Sequence, residues 1–412
     1  MQKKHHMILT GLALCICTVA LAVLCACAVQ NTGSTPQPGT QPVTQPPTQD
    51  PIAEQLEKMT TEEKIGQLVI AGFDGYEVDE TLKNLITHKG IGGMILFSDN
   101  IESAQQLTTL TNQIKQAAQD GIPVLIGMDE EGGNVSRLPK DVLSMPPAYT
   151  IAQNGGADAC YDGGKNIAQQ LTAFGLHTGF SPVLDIWSNP DNTVIGNRAY
   201  GTDAQSVASC GIAAMNGLLD GGAIPVGKHF PGHGDTDTDS HYTLPVVTKT
   251  KQQLYESELI PFKEAISQGV PGVMVSHILC RELDAEYPAS LSKTLVQELL
   301  RDEMGFDGVV FTDDLTMGAI VENYSSEQAC VLAINAGCDM LLVCHEYDNV
   351  YTVLEALKTA VENGKISIRR IDEAVTRILR LKSDYTVTSD LISLPDITAL
   401  NSATQVFWDE KR

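Results

Sequence analysis

Eight short apolar runs, spaced along residues 68–343 and separated by segments of helical periodicity, constrain this chain more than any other feature. They cover 68–73, 92–97, 124–129, 178–185, 224–229, 272–277, 308–313 and 339–343. Between and after them apolar residues recur at helical spacing: Leu259, Phe262 and Ile266 share one face, as do Ile371, Val375, Ile378 and Leu379. Ser367 stands where a helix cap belongs, and Gly364 where the preceding helix should stop. Strand–helix units repeated eight times imply parallel strands joined by right-handed crossovers, hence an α/β fold of the TIM-type (β/α)8 barrel class. An open doubly wound sheet would show a similar pattern, but no GxGxxG follows the first run to favour it.

Polar residues gather at the C-terminal ends of these runs: Asp129, Asp185, Lys228 with His229, His277, and Asp313 with Asp314. In a barrel that rim carries chemistry, whereas the same residues at the opposite rim would point to stability. The repetition across five strands therefore predicts an enzyme.

The two ends of the chain read differently. Lys3 and Lys4 precede an uncharged apolar run from Met7 to Ala26, which suits an export signal; an uncleaved anchor helix is the alternative. Leu24-Cys25-Ala26-Cys27 resembles a bacterial lipobox, which implies cleavage before Cys27, a lipid on its thiol and an extracytoplasmic, membrane-tethered protein. Residues 28–50, rich in Pro, Gln, Thr and Gly, cannot bury enough apolar surface to offset their ordering entropy and should form an extended spacer. The expected organisation is thus a signal over 1–27, a linker over 28–50, a catalytic domain over 51–385 and a tail over 386–412.

Asp and Glu number 51 against 27 Lys and Arg, a net charge of −24. Phosphate backbones need clustered cations, so nucleic acid is excluded as a partner; the acidity serves solubility. A monomer is expected. Six cysteines lie in the domain, Cys160, Cys210, Cys280, Cys330, Cys338 and Cys344. They form no CxxC pair, which argues against a zinc ribbon, and most read as small buried hydrophobes. An exported location permits disulfides, but spacing assigns none.

Two constellations carry chemistry. The first runs from Lys228 to His241, KHFPGHGDTDTDSH. Asp235-x-Asp237-x-Asp239 mimics the start of a calcium loop, yet Ser240 stands where that loop needs Gly and Val246 where it needs Glu. A metal site from His229, His233 and His241 is a second reading. The third is proton transfer, with Asp239 two residues from His241 and able to orient its imidazole. The second constellation, residues 308–317, ends a buried strand in Asp313-Asp314. Alternation sends the two carboxylates to opposite sides. Asp314 suits a helix cap near Leu315, leaving Asp313 for covalent work.

These motifs resemble the β-N-acetylglucosaminidase branch of glycoside hydrolase family 3. The 228–241 loop is similar to that branch's KH(F/I)PGHG…DSH signature, and Thr312-Asp313-Asp314-Leu315-Thr316-Met317 to its nucleophile motif. Asp129-Glu130-Glu131-Gly132-Gly133 with Arg137, the Gly196–Gly201 loop and the Met59–Gln67 entry also match, so the resemblance spans about residues 55–385. It implies Asp313 as nucleophile, His241 as general acid and base with Asp239 as its partner, and Asp129, Arg137, Arg198, Lys228 and His229 as ligands of a terminal amino sugar, with His233 and His277 in support. It implies a retaining exo-β-N-acetylglucosaminidase acting on glycans of GlcNAc-MurNAc type, without metal or cofactor. β-Glucosidase or phosphorylase activity, or a surface lipoprotein that only binds glycans, are the alternatives. Two departures stand out. The family's large second domain is not expected in a chain of this length, and Asn134 and Ser136 replace the Arg and Gln common in relatives.

Overall fold

The structure, a computed structural model, describes residues 50–236, 239–240 and 244–411. The signal, the lipobox with Cys27 and nearly all of the spacer lie outside them, as does His241. Among the described residues no helix is long and apolar enough to cross a membrane.

The described residues form nine strands: β1 (Val69–Ala71), β2 (Gly93–Leu96), β3 (Leu125–Met128), β4 (Val226–Phe230), β5 (Val246–Val247), β6 (Gly272–Val275), β7 (Leu279–Cys280), β8 (Val309–Asp314) and β9 (Met340–Val343). Seven of them make one sheet in the order β3-β2-β1-β9-β8-β6-β4, and β5 pairs with β7 outside it. Every pairing in the large sheet is parallel. A parallel sheet is covered on both faces, which is why these strands read as continuous apolar runs; β1, β2, β3, β4, β6 and β9 are buried at every position.

The expected strand over 178–185 is the departure. It forms no regular strand, only isolated bridges from Thr178 to Gly127 and from Val183 to Lys228. Pro182 has no N–H to donate and Phe180 sits at φ +41°, so the ladder cannot run unbroken. The extended segment still bonds both sheet edges. Met128 N donates to Thr178 O (3.2 Å) and Glu130 N to Gly179 O (2.9 Å), while Val226 N donates to Ser181 O (2.8 Å) and Leu184 N to Lys228 O (2.6 Å). The sheet curls, and residues 177–184 link its two margins.

Local signals set the helix ends. Thr60 and Glu63 form a reciprocal capping box at the entry helix Thr61–Gln67. Ser367 caps Ile368–Asp384 by accepting from Arg370 N, and Ile371, Val375, Ile378 and Leu379 are its buried face. Gly364, at φ +71°, follows the end of the helix Tyr347–Glu362. At the N-terminal side of β9, buried Asp339 gathers Arg301 (2.5 Å), Arg370 (2.6 Å) and Arg377 (3.4 Å). Ion pairs at that rim serve stability. The stretch expected as a tail ends in a helix, Ile397–Lys411. That helix docks back: Gln170 Nε2 donates to Thr404 Oγ1 (3.0 Å), Trp408 Nε1 donates to Ser144 O (3.2 Å), and Phe407 is buried.

Candidate active site

A cavity of about 360 Å³ opens at the C-terminal ends of the strands. Ligand pockets run from roughly 300 to 1,000 Å³, so this one is at the small end of that range. Its walls include Asp129, Arg137, Arg198, Lys228, His229, Ser240 and Asp313. All five residues expected to bind sugar thus meet the expected nucleophile.

The polar wall is built from buried ion pairs. Lys228, in β4, is 1% exposed. Its Nζ lies 2.7 Å from Asp129 Oδ1 and 2.6 Å from Glu131 Oε1. Arg198 clamps Glu131 with two bonds, Nε to Oε2 and Nη2 to Oε1, both 2.8 Å. Burial alone would push the Glu131 carboxyl up, but Arg198 and Lys228 outweigh it and hold the carboxyl well below the usual range. Burial likewise works against charge on Lys228, and Asp129 with Glu131 reverses it, leaving the ammonium firmly protonated. Lys228, Arg198 and Glu131 therefore stay ionised in a buried wall, fixed before any ligand arrives. Sequence reasoning gave Glu131 no role of its own. The signal was present, since a carboxylate inside an apolar, glycine-flanked segment needs a cation.

Asp185 is the second residue without an assigned role. It is fully buried and accepts from His229 Nδ1 (2.7 Å), His229 N (3.1 Å) and His233 N (2.6 Å). Burial opposes its charge, yet His229 above all keeps its carboxyl below the ordinary value. His229 Nε2 lies 3.5 Å from Arg198 Nη2, and in the neutral ring, with Nδ1–H donated to Asp185, it is the acceptor. His233 is bonded at Nδ1 to Thr236 Oγ1 (2.8 Å) and at Nε2 to Ser240 Oγ (3.2 Å). Burial, then the charge of His229, lowers its pKa. These commitments leave His229 and His233 poorly disposed as metal ligands. Among the described residues no group of three His, Cys, Asp or Glu is arranged around an ion.

The two acids ending β8 divide their work. Asp314 Oδ1 accepts from Thr316 N (2.9 Å) and Cys344 N (3.1 Å), and Oδ2 from Thr316 Oγ1 (2.5 Å). It caps no helix. The N–H within its reach is two residues on, so it closes an Asx-type turn, and the next helix starts only at Gly318. Asp313 is half-buried on the cavity wall, and its Oδ1 accepts Asp314 N–H at 2.9 Å. His277, buried after β6, bonds Asp314 O through Nε2 (2.9 Å) and Ser290 Oγ through Nδ1 (2.6 Å). It braces the strand tip and does not line the cavity.

The loop after β4 reaches the same cavity. Gly234 lets it cross the segment carrying Asp185, because a Cβ there would lie 1.7 Å from Ile186 O. Asp239 is half-buried; Ser240 is buried, lines the cavity and accepts Ala319 N–H at 3.2 Å, just beyond Asp313 and Asp314. His345 stacks on Phe97 at 5.5 Å on the cavity wall; neither residue was expected there.

The turn bearing Arg137 hangs on Glu130. Its Oε2 accepts Ser136 Oγ (2.7 Å) and Arg137 N (2.9 Å), and its Oε1 has no partner among the described residues. Burial pushes the Glu130 carboxyl up to about 7, against the bonds from Ser136 and Arg137. An unfolded glutamate titrates near 4.3, so the unfolded chain ionises first as pH rises. Glu130's contribution to stability is therefore complete below about pH 4.3 and is lost as pH climbs through 7. That loss comes to about 4 kcal/mol at 1.36 kcal/mol per unit. Glu130→Gln, which cannot ionise, should flatten the urea midpoint between pH 5 and 8. A variant with the slope of the parent protein would assign the titration elsewhere.

A strand-tip acid facing a cavity walled by preset ion pairs suits glycoside cleavage on an α/β scaffold. Residues 60–381 match the Glycosyl hydrolase family 3 N terminal domain, and the chain belongs to that family, a glycoside hydrolase. A β-hexosaminidase of Bordetella avium is 39% identical over 325 residues, 77% of this chain and 88% of that protein. One from Tolumonas auensis is 36% identical over 288 residues, 69% and 84% of the respective chains. The solved family 3 β-N-acetylglucosaminidase of Paenibacillus sp. str. FPU-7 superposes with a TM-score of 0.81 at 39% identity, covering 86% of this chain and 69% of that one.

Proposed function

We propose that this chain is a retaining exo-β-N-acetylhexosaminidase that removes terminal GlcNAc from peptidoglycan fragments or related glycans. One observation carries the reading. Asp313 lines the same cavity as Ser240, the residue immediately before His241, and as the Asp129–Lys228–Glu131–Arg198 wall. The names of the two bacterial relatives and of the Paenibacillus enzyme support the amino-sugar substrate. We read the curled sheet with its linking segment as the family's barrel.

In this scheme Asp129, Lys228, Arg198 and His229 take the hydroxyls and acetamido group of the sugar. Arg137, on the wall of the same cavity, joins them as a ligand of that terminal sugar. Asp313 attacks the anomeric carbon as His241 protonates the departing oxygen, giving a glycosyl-enzyme. His241, steadied by Asp239, then deprotonates the incoming water. An imidazole fits both steps because its ordinary pKa lies near ambient pH. The scheme uses no metal or cofactor. A lipid on Cys27 would hold the enzyme outside the cell.

The test is incubation with defined muropeptides, with and without phosphate, followed by product identification. Free GlcNAc of retained β configuration is expected. GlcNAc 1-phosphate would make the enzyme a phosphorylase, and intact muropeptides would reject the substrate class. His241→Ala should slow poor leaving groups more than activated aryl glycosides, and equal losses across leaving groups would remove His241 as the acid.

A further inference from the structure

Helices Ala148–Ala173 and Ala204–Asp220 pack backbone to backbone. A Cβ on Gly164 would lie 2.2 Å from Ala214 O, and one on Gly217 would lie 2.0 Å from Tyr161 O. Cys160 and Cys210 stand one turn before Gly164 and Ala214, and both are buried at this contact, 1% and 7% exposed. Their thiols are within hydrogen-bonding reach of each other. A disulfide needs Cα atoms about 4.4–6.8 Å apart, and the close backbone approach at Gly164 and Gly217 brings the two helices together in this stretch.

We propose that Cys160 and Cys210 are an oxidation site, a thiol pair that closes into a disulfide stapling these two helices beside the active site. The other four domain cysteines are controls within the same molecule. Cys330 and Cys338 direct their S–H groups to backbone carbonyls of Glu327 and Ser290, both at 3.4 Å. Cys344 is bonded to Asp314, and Cys280 is buried.

The pair is asymmetric in a way that orders the chemistry. The hydrogen bond from Cys160 lowers the Cys210 pKa, and the same bond raises that of Cys160. Cys210 is also the more exposed, so it is the entry point. Its thiolate attacks one sulfur of a small disulfide such as oxidised glutathione, forming a mixed disulfide and releasing one glutathione thiolate. Cys160 then gives up its proton and attacks Cys210 Sγ, expelling the second glutathione thiolate. Two protein thiols are oxidised, one small disulfide is reduced to two thiols, and the staple forms.

The staple would tie together the two loops that supply the Glu131–Arg198 pair. Pro147, at the start of the first helix, packs on Gly133, and Pro146 O approaches Gly132. Tyr200, two residues after Arg198, lies over Gly211, next to Cys210. The consequence is stability rather than chemistry, since the thiols already meet before oxidation.

The full chain is equilibrated with oxidised glutathione, acid-quenched, unfolded, alkylated and peptide-mapped. The expected result is one cross-linked Cys160–Cys210 peptide with the other four domain cysteines alkylated. A Tm rise of roughly 5 °C or more, removed by dithiothreitol, should accompany it, because the bond closes a loop of about 50 residues. Cys160→Ser and Cys210→Ser should each abolish both effects. If either fails to fold, the peptide map and the dithiothreitol response of the parent protein still decide. Full alkylation of both cysteines, a stable glutathione adduct on Cys210 without closure, or a cross-link to another cysteine would overturn the proposal.

Discussion

Asp313→Asn should abolish turnover of aryl β-GlcNAc substrates, lowering kcat/KM by at least about 10³-fold, or about 4 kcal/mol of barrier. The change is nearly isosteric. Asp313 Oδ1 accepts Asp314 N–H at 2.9 Å, and an asparagine carbonyl oxygen can take over that bond, so the strand tip keeps its shape. What disappears, on the proposed mechanism, is the nucleophile together with a negative charge. A neutral amide neither forms the glycosyl-enzyme nor offsets the oxocarbenium-like cation. Substrate should still bind, because the Lys228–Glu131–Arg198 wall is untouched. The measurement is kcat/KM beside circular dichroism and Tm. A folded variant with undiminished turnover would sink the assignment of Asp313, and a parent protein that binds glycans without cleaving them would be a lectin-like binder.

Glu131→Ala should cost about 3–5 kcal/mol of folding stability, the range for removing one partner of a buried ion pair. Glu131 is 6% exposed and is held by both Lys228 (2.6 Å) and Arg198 (2.8 Å, twice). Without it two buried cations share the single, partly exposed Asp129. The dominant penalty is the uncompensated charge that remains, not the lost attraction. Arg198 and Lys228 also lose their fixed orientation, so KM for the sugar should rise more than kcat falls. Urea denaturation and steady-state kinetics read the two effects separately. A variant that unfolds at the urea concentration of the parent protein would show that the wall contributes nothing to stability.

Much of this was legible in the chain. Apolar runs ending in Asp129, Lys228–His229 and Asp313 marked the strands and the working rim, because a parallel sheet buries both faces and exposes only its ends. Caps were equally local, as Thr60 with Glu63 and Ser367 show. The reading failed where backbone chemistry intervened: 178–185 has a strand's composition, but Pro182 removes a donor and Phe180 takes a positive φ. Asp314 went astray for a similar reason, since the nearest N–H was that of Thr316 rather than a helix end.

What the sequence determined by itself was the seven strands of the large sheet, their order along the chain and the residues that had to share one rim, all products of short-range periodicity. Which carboxylates carry the electrostatic wall was decided only by tertiary structure. Glu131 meets Arg198 across 67 residues and Asp185 meets His229 across 44, so neither partner is visible from the other along the chain. The charge state of a buried acid depends on what the fold brings against it. Glu130 and Glu131 are neighbours in the chain, yet one is pushed up to about 7 and the other held far below the carboxylate range because only Glu131 faces cations.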